Sequence, residues 1–92
     1  MLFHITWETY PVVLDDEKRL REAVGPQLGR LMQSDKVREA GILSGKRAGF
    51  FLVDIDSPEE IYELFGPEIF ANLKLVAHPV TPLDKLGEIF QR

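Results

Sequence analysis

Two side chains of this sequence, His4 and His78, titrate near neutrality when unperturbed. An imidazole of that kind can take a proton from one atom and return it to another at physiological pH. His4 lies within "LFHITWE", in the alternating set Leu2, His4, Thr6 and Glu8, with Phe3, Ile5 and Trp7 on the opposite side. His4 is the candidate base. The competing reading is a neutral histidine satisfied by backbone or water inside the fold. The period of two does not say which set faces the core. Thr6 is a small polar position that would leave room for a ligand if it points into a cavity, or that merely permits close packing. Glu8 and Asp54 would serve as bases if burial raised their pKa; each falls near a strand end, where solvent competes. Lys46 and Arg47 share a turn and can hold a substrate carboxylate, Arg47 with two parallel donors, unless both are simply solvated. Trp7 and Tyr62 suit either a pocket wall or an apolar core.

Other chemistries lack residues. The chain has no cysteine, which removes disulfides, thiolate metal sites and a cysteine nucleophile together. His4, His78 and Glu8 have no metal-ligand spacing. No nucleophile elbow, phosphate loop or dinucleotide fingerprint is present. The formal charge of −4 is spread along the chain without a basic stripe, so no nucleic-acid partner is expected. No apolar run approaches the roughly 20 residues of a membrane span, and "MLFHITWETYPVV" is not a signal peptide. A soluble, cytoplasmic protein is the expectation.

The elements that must position these groups are well punctuated. Residues 2–8 read as a strand, and Pro11 with the acids at 15–17 opens a helical region. Leu20, Val24, Leu28 and Leu31 give that region an apolar stripe reaching to about Ala40, with Gly25-Pro26 predicting a kink or two helices and Gly41 a stop. "GILSGKRAGFFLVDID" reads as a hairpin of a short strand near 41–44, a turn through Gly45 and a longer strand near 48–55. Ser57, Pro58 and Glu60 form a capping box before a helix that buries Ile61, Leu64 and Phe65 and stops at Gly66-Pro67. A last strand over 72–78 is limited by Pro79 and Pro82, and "LDKLGEIF" makes a short amphipathic tail.

The order is βαββαβ, a ferredoxin-like α+β sandwich forming a single domain over residues 1–92. Right-handed crossovers put strands one and three in the centre, with strand four beside strand one. If residue 2 opposes residue 79, His4 opposes Ala77 and His78 falls one place away. Two helices cover only one face of such a sheet. Yet strand three is apolar on both sides, Phe50 and Leu52 on one and Phe51 and Val53 on the other. A strand apolar on both sides belongs between two layers, so a second copy is expected on the open face.

"MLFHI", "REAGI", "GFFLVDIDSPEEIYEL" and "IFANLKLVAHPVTPL" together resemble the muconolactone isomerase-like group of dimeric α+β barrel proteins. The resemblance spans nearly the whole chain. His4 stands in the group's opening motif, and Ile69-Phe70 match a leucine-phenylalanine pair before the last strand. The chain departs from the group at Ala71, Asn72, Lys74 and Val76, and its hairpin around residues 44–47 is shorter. The resemblance implies a homodimer, in some members a larger ring. It also implies a cofactor-free isomerase or lyase that moves a proton on a small lactone or enolisable acid. His4 would be its catalytic residue, with Thr6, Glu8, Arg47, Asp54 and His78 around the ligand. The alternative is a non-catalytic domain of the same fold that binds a small ligand or only oligomerises.

Overall fold

The computed structural model describes residues 1–10 and 14–91. Its elements are β1 (Leu2–Thr9), α1 (Leu14–Met32), β2 (Val37–Ile42), β3 (Ala48–Asp54), α2 (Glu60–Phe65), α3 (Pro67–Asn72), β4 (Leu73–Val80) and α4 (Leu83–Phe90). The four strands form one antiparallel sheet in the order β2-β3-β1-β4, the arrangement expected of a ferredoxin-like α+β fold. The punctuation expected at Pro11 lies outside the described residues.

Alternation sorts the sheet into two faces. Phe3, Ile5, Phe51, Val53 and Leu73 point toward the helices and are buried with Val24 and Leu31 of α1, Ile61 and Phe65 of α2 and Ile69 of α3. Trp7, Leu20 and Leu28 pack against the same cluster. At its centre, Phe65 is fully buried and meets the Phe51 ring edge-on at 5.5 Å. The expected apolar stripe of α1 is therefore the one it buries.

Several local readings are corrected. Of the two alternatives at Gly25-Pro26, two helices is the one excluded: the first helix is a single element through Pro26, which lies on its exposed side, where water can take the carbonyl left without a donor. It ends at Met32 instead of near Ala40, closed by Gln33 and Ser34 amides donating to the Arg30 and Leu31 carbonyls. "VREAGI" is strand β2: its helix-forming residues are overridden by pairing with β3, Val37 against Val53 and Ala40 against Phe51, across a bulge between Val37 and Glu39. Gly41 is thus no helix stop. It faces Phe50, and a Cβ there would fall 2.6 Å from that ring. Before α2, the Glu60 carboxylate accepts from the Asp56 amide rather than from that of Ser57. β4 continues through Pro79 because it is an edge strand, so the missing N–H costs no ladder bond.

Gly49 has a demanding place. A Cβ built on it would sit 2.6 Å from the Trp7 ring and 2.5 Å from the Gly41 carbonyl oxygen, and neither neighbour is a flexible side-chain end. Gly49→Ala is expected to cost about 1–3 kcal/mol of stability, the usual range for overpacking, read from the urea midpoint at unchanged slope.

Candidate functional site

The set Leu2, His4, Thr6 and Glu8 faces away from the helices, onto the side of the sheet that no helix covers. The ladder between β1 and β4 runs one residue beyond the expected register: Leu2 pairs with Val80, and His4 pairs directly with His78. That single step turns two neighbouring histidines into a cross-strand pair on one face. Directly opposed side chains of an antiparallel ladder have Cβ atoms about 4.5–5.5 Å apart, within reach of one small molecule.

The pair has an apolar floor. His4 opposes Leu52 on its other side, and its imidazole stacks on the Phe50 ring at 5.5 Å with the planes 24° apart. Thr6 lies between Phe50 and Val76, with its hydroxyl 3.4 Å from the Val76 carbonyl oxygen that accepts its hydrogen bond. Beyond Thr6 the face ends in a hollow of about 240 Å³ lined by Thr6, Glu8, Leu43, Lys46, Lys74 and Val76. There Glu8 pairs with Lys46 at 3.6 Å and lies opposite Lys74 in the ladder. Two ammonium groups thus border one carboxylate, an arrangement that favours an added anion.

Asp54 stands at the far end of this face, across from Leu2. It is no base of raised pKa. The Met1 ammonium at 3.2 Å and the Arg38 guanidinium at 3.0 Å hold its carboxyl below the usual range by hydrogen bonding, outweighing desolvation. A carboxyl depressed in the folded state stabilises it above the unfolded pKa of about 3.9, and that contribution disappears as pH falls through the lower folded value. Asp54→Asn should therefore lower the melting temperature slightly at pH 7, by a difference that fades as pH falls through the lowered folded pKa and that shrinks in 1 M salt.

Arg47 does not join the histidines. Its Nη1 donates to Glu17 of α1 at 2.8 Å and its Nε to the Thr9 hydroxyl at 3.2 Å, which turns it to the helix side. There it borders a cleft of about 370 Å³ under α1, with Trp7, Leu20, Arg21, Val24 and Leu28 among its walls. Trp7 also lines an adjoining apolar cleft of about 280 Å³ with Leu28, Met32 and Phe51. The Trp7 indole N–H is buried and, among the described residues, has no hydrogen-bond partner. An unmet donor of this kind costs about 1–3 kcal/mol.

Among the described residues no three histidine or acidic side chains gather closely enough to hold a metal ion, and no helix is long and apolar enough to cross a membrane. The sequence reading passed over Phe50 as a partner of His4, and Lys74 and Arg21 as parts of sites. Only Lys74 carried a signal, as one of the positions where the chain departs from the group it resembles.

No protein-family model matches the chain, and no curated protein matches it significantly. Solved structures do. Muconolactone isomerase superposes with a TM-score of 0.69 at 20% identity, over 89% of this chain and 90% of the other. The 5-chloro-2-hydroxyhydroquinone dehydrochlorinase of Burkholderia phenoliruptrix AC1100, solved with 2,5-dihydroxybenzoquinone, does so with a TM-score of 0.67 at 15% identity, over 92% and 98%. The resemblance read from the sequence thus reappears in three dimensions, and at these identities it establishes one thing, that this chain has the fold of muconolactone isomerase over nearly its whole length.

Proposed function

We propose that the protein is a cofactor-free catalyst of proton transfer on a small lactone or enolisable acid, working on the uncovered sheet face with a second copy closing it. The observation that carries this reading is the direct pairing of His4 with His78 over an apolar floor, next to a hollow with two lysines. The fold shared with muconolactone isomerase and with a dehydrochlorinase supports it.

The chemistry needs nothing that these residues lack. A substrate carboxylate sits in the hollow between Lys46 and Lys74. One strand repeat of about 6.6 Å separates Thr6, on its edge, from His4. His4 takes a proton from the γ carbon, at the far end of the double bond conjugated with the lactone carbonyl, leaving a dienolate and an imidazolium. A proton then goes to the carbon next to the carbonyl, from the His4 imidazolium itself or from a protonated His78, in which case His4 passes its proton on to solvent. One C–H bond breaks, one forms, and the double bond moves with no change of oxidation state. Burial by a partner sheet would exclude water and strengthen each of these interactions.

The partner is part of the proposal. Leu2, Phe50, Leu52 and Val80 share the face without a covering layer, and apolar surface of that extent belongs at an interface. Phe50→Asp tests this, because the residue lies outside the buried cluster and the fold should survive. Sedimentation velocity should show a dimer for the wild type. The variant should sediment as a monomer and lose isomerisation of muconolactone. A wild-type monomer that turns over would contradict the closed face, and a dimeric variant would place the interface elsewhere.

The alternative, a binding or assembly domain without catalysis, draws support from the helix-side clefts, which could hold a ligand but contain no histidine.

A further inference from the structure

We infer that the cleft beneath α1 is a second binding site, on the opposite face of the sheet from the histidines, for a small carboxylic acid with a flat apolar body. Three observations converge there. The volume of about 370 Å³ is ample for a single ring with its substituents. The walls are apolar where α1 presents Leu20, Val24 and Leu28, so they suit a ring and not a hydrated ion. The charged groups that border it are the Arg21 and Arg47 guanidiniums, donors of the kind that an acid would satisfy.

Among the described residues Arg47 places two of its five N–H groups, on Glu17 and on Thr9, and keeps donors for a ligand. Glu17 offsets its charge, but Arg21 borders the same cleft and adds a second guanidinium. A carboxylate between them is held by charge-assisted hydrogen bonds. Trp7 supplies the third element, an aromatic wall of the cleft against which a flat ring can pack. Gly49 keeps the indole where it is, since any side chain there would displace the ring. This site makes no use of His4 or His78. β1 alternates, so Trp7 points one way and His4 the other.

The test uses a convenience of composition: Trp7 is the only tryptophan, so a nitrogen-15 correlation spectrum has a single indole resonance. Titrating the full chain with benzoate should shift that resonance in a saturable manner, and benzamide, of the same shape without the charge, should bind at least tenfold more weakly. Arg47→Gln and Arg21→Gln should each weaken benzoate at least fivefold while the backbone resonances report an unchanged fold. His4→Ala should leave the titration as it was. An indole resonance that stays fixed, equal binding of benzamide, or indifference to both arginine variants would overturn the inference. Loss of benzoate binding in His4→Ala would overturn it too, by moving the ligand to the other face. None of these outcomes depends on turnover at the histidines, so the two sites stand or fall separately.

Discussion

His4→Ala should reduce isomerisation by about 10²–10⁴-fold, the usual contribution of a positioned acid–base group. It should leave the melting temperature nearly unchanged. The two readouts separate because His4 lies outside the buried cluster and is held by its stack on Phe50 and its place in the ladder. Losing an aromatic stack costs about 0.5–1.5 kcal/mol, against a total stability of about 5–15 kcal/mol for a domain of this kind. His78→Ala should act on the same rate more weakly if His4 both removes and returns the proton, and as strongly if the two divide the work. A double variant no slower than His4→Ala alone would show that the pair acts as one unit. Rates by proton NMR and melting by circular dichroism decide the matter. A large loss of stability with little loss of rate would return His4 to an architectural role.

Phe65→Ala carries the largest expected loss of stability. The ring is fully buried, meets Phe51 edge-on and sits where α2 comes down on the sheet. Removing it deletes the transfer energy of the ring and leaves a cavity that helices on both sides cannot close, at a cost of about 3–5 kcal/mol. In a chain of 92 residues that is a large share of the whole, so the urea midpoint should fall steeply and the variant should be partly unfolded at 37 °C. Tyr62→Ala, three residues earlier on the exposed side of α2, should cost far less despite its stack on Phe70. Equal losses at the two positions would mean that the core is not where the buried cluster places it.

The fold was legible because its signals are local and agree with one another. Alternation in β1 and β3, the four-and-three spacing of α1, and the Gly45 and Gly66 turns each state one conformation, and both glycines adopt positive φ of 81°. Where local signals compete, the reading failed. "VREA" has the composition of a helix, and only its pairing with β3, contacts distant in sequence, makes it a strand. Pro26 and Pro79 break regular structure in isolation but are tolerated on an exposed helix side and an edge strand, facts about surroundings that sequence does not state.

The site was legible only in part, and for a sharper reason. His4 and His78 were identified by type, but their juxtaposition depends on a register that differs from the expected one by a single residue. In a ladder of period two that step decides whether two side chains share a face. Arg47 was correctly placed at the hairpin, yet its bonds to Glu17 and Thr9 direct it away from His4, which no spacing rule anticipates. Asp54 illustrates the same gap in electrostatics: a carboxylate near a strand end takes its character from the Met1 and Arg38 cations that tertiary structure brings to it.

The central claim, that the histidine face moves protons on an enolisable substrate, is tested most directly by proton NMR of muconolactone in heavy water with the wild-type protein. The account predicts that deuterium enters the carbon next to the lactone carbonyl, or the isomerised position, much faster than in buffer, and that the uptake disappears when His4→Ala replaces the wild type. Uptake no faster than buffer across a panel of small lactones and enolisable acids would contradict it.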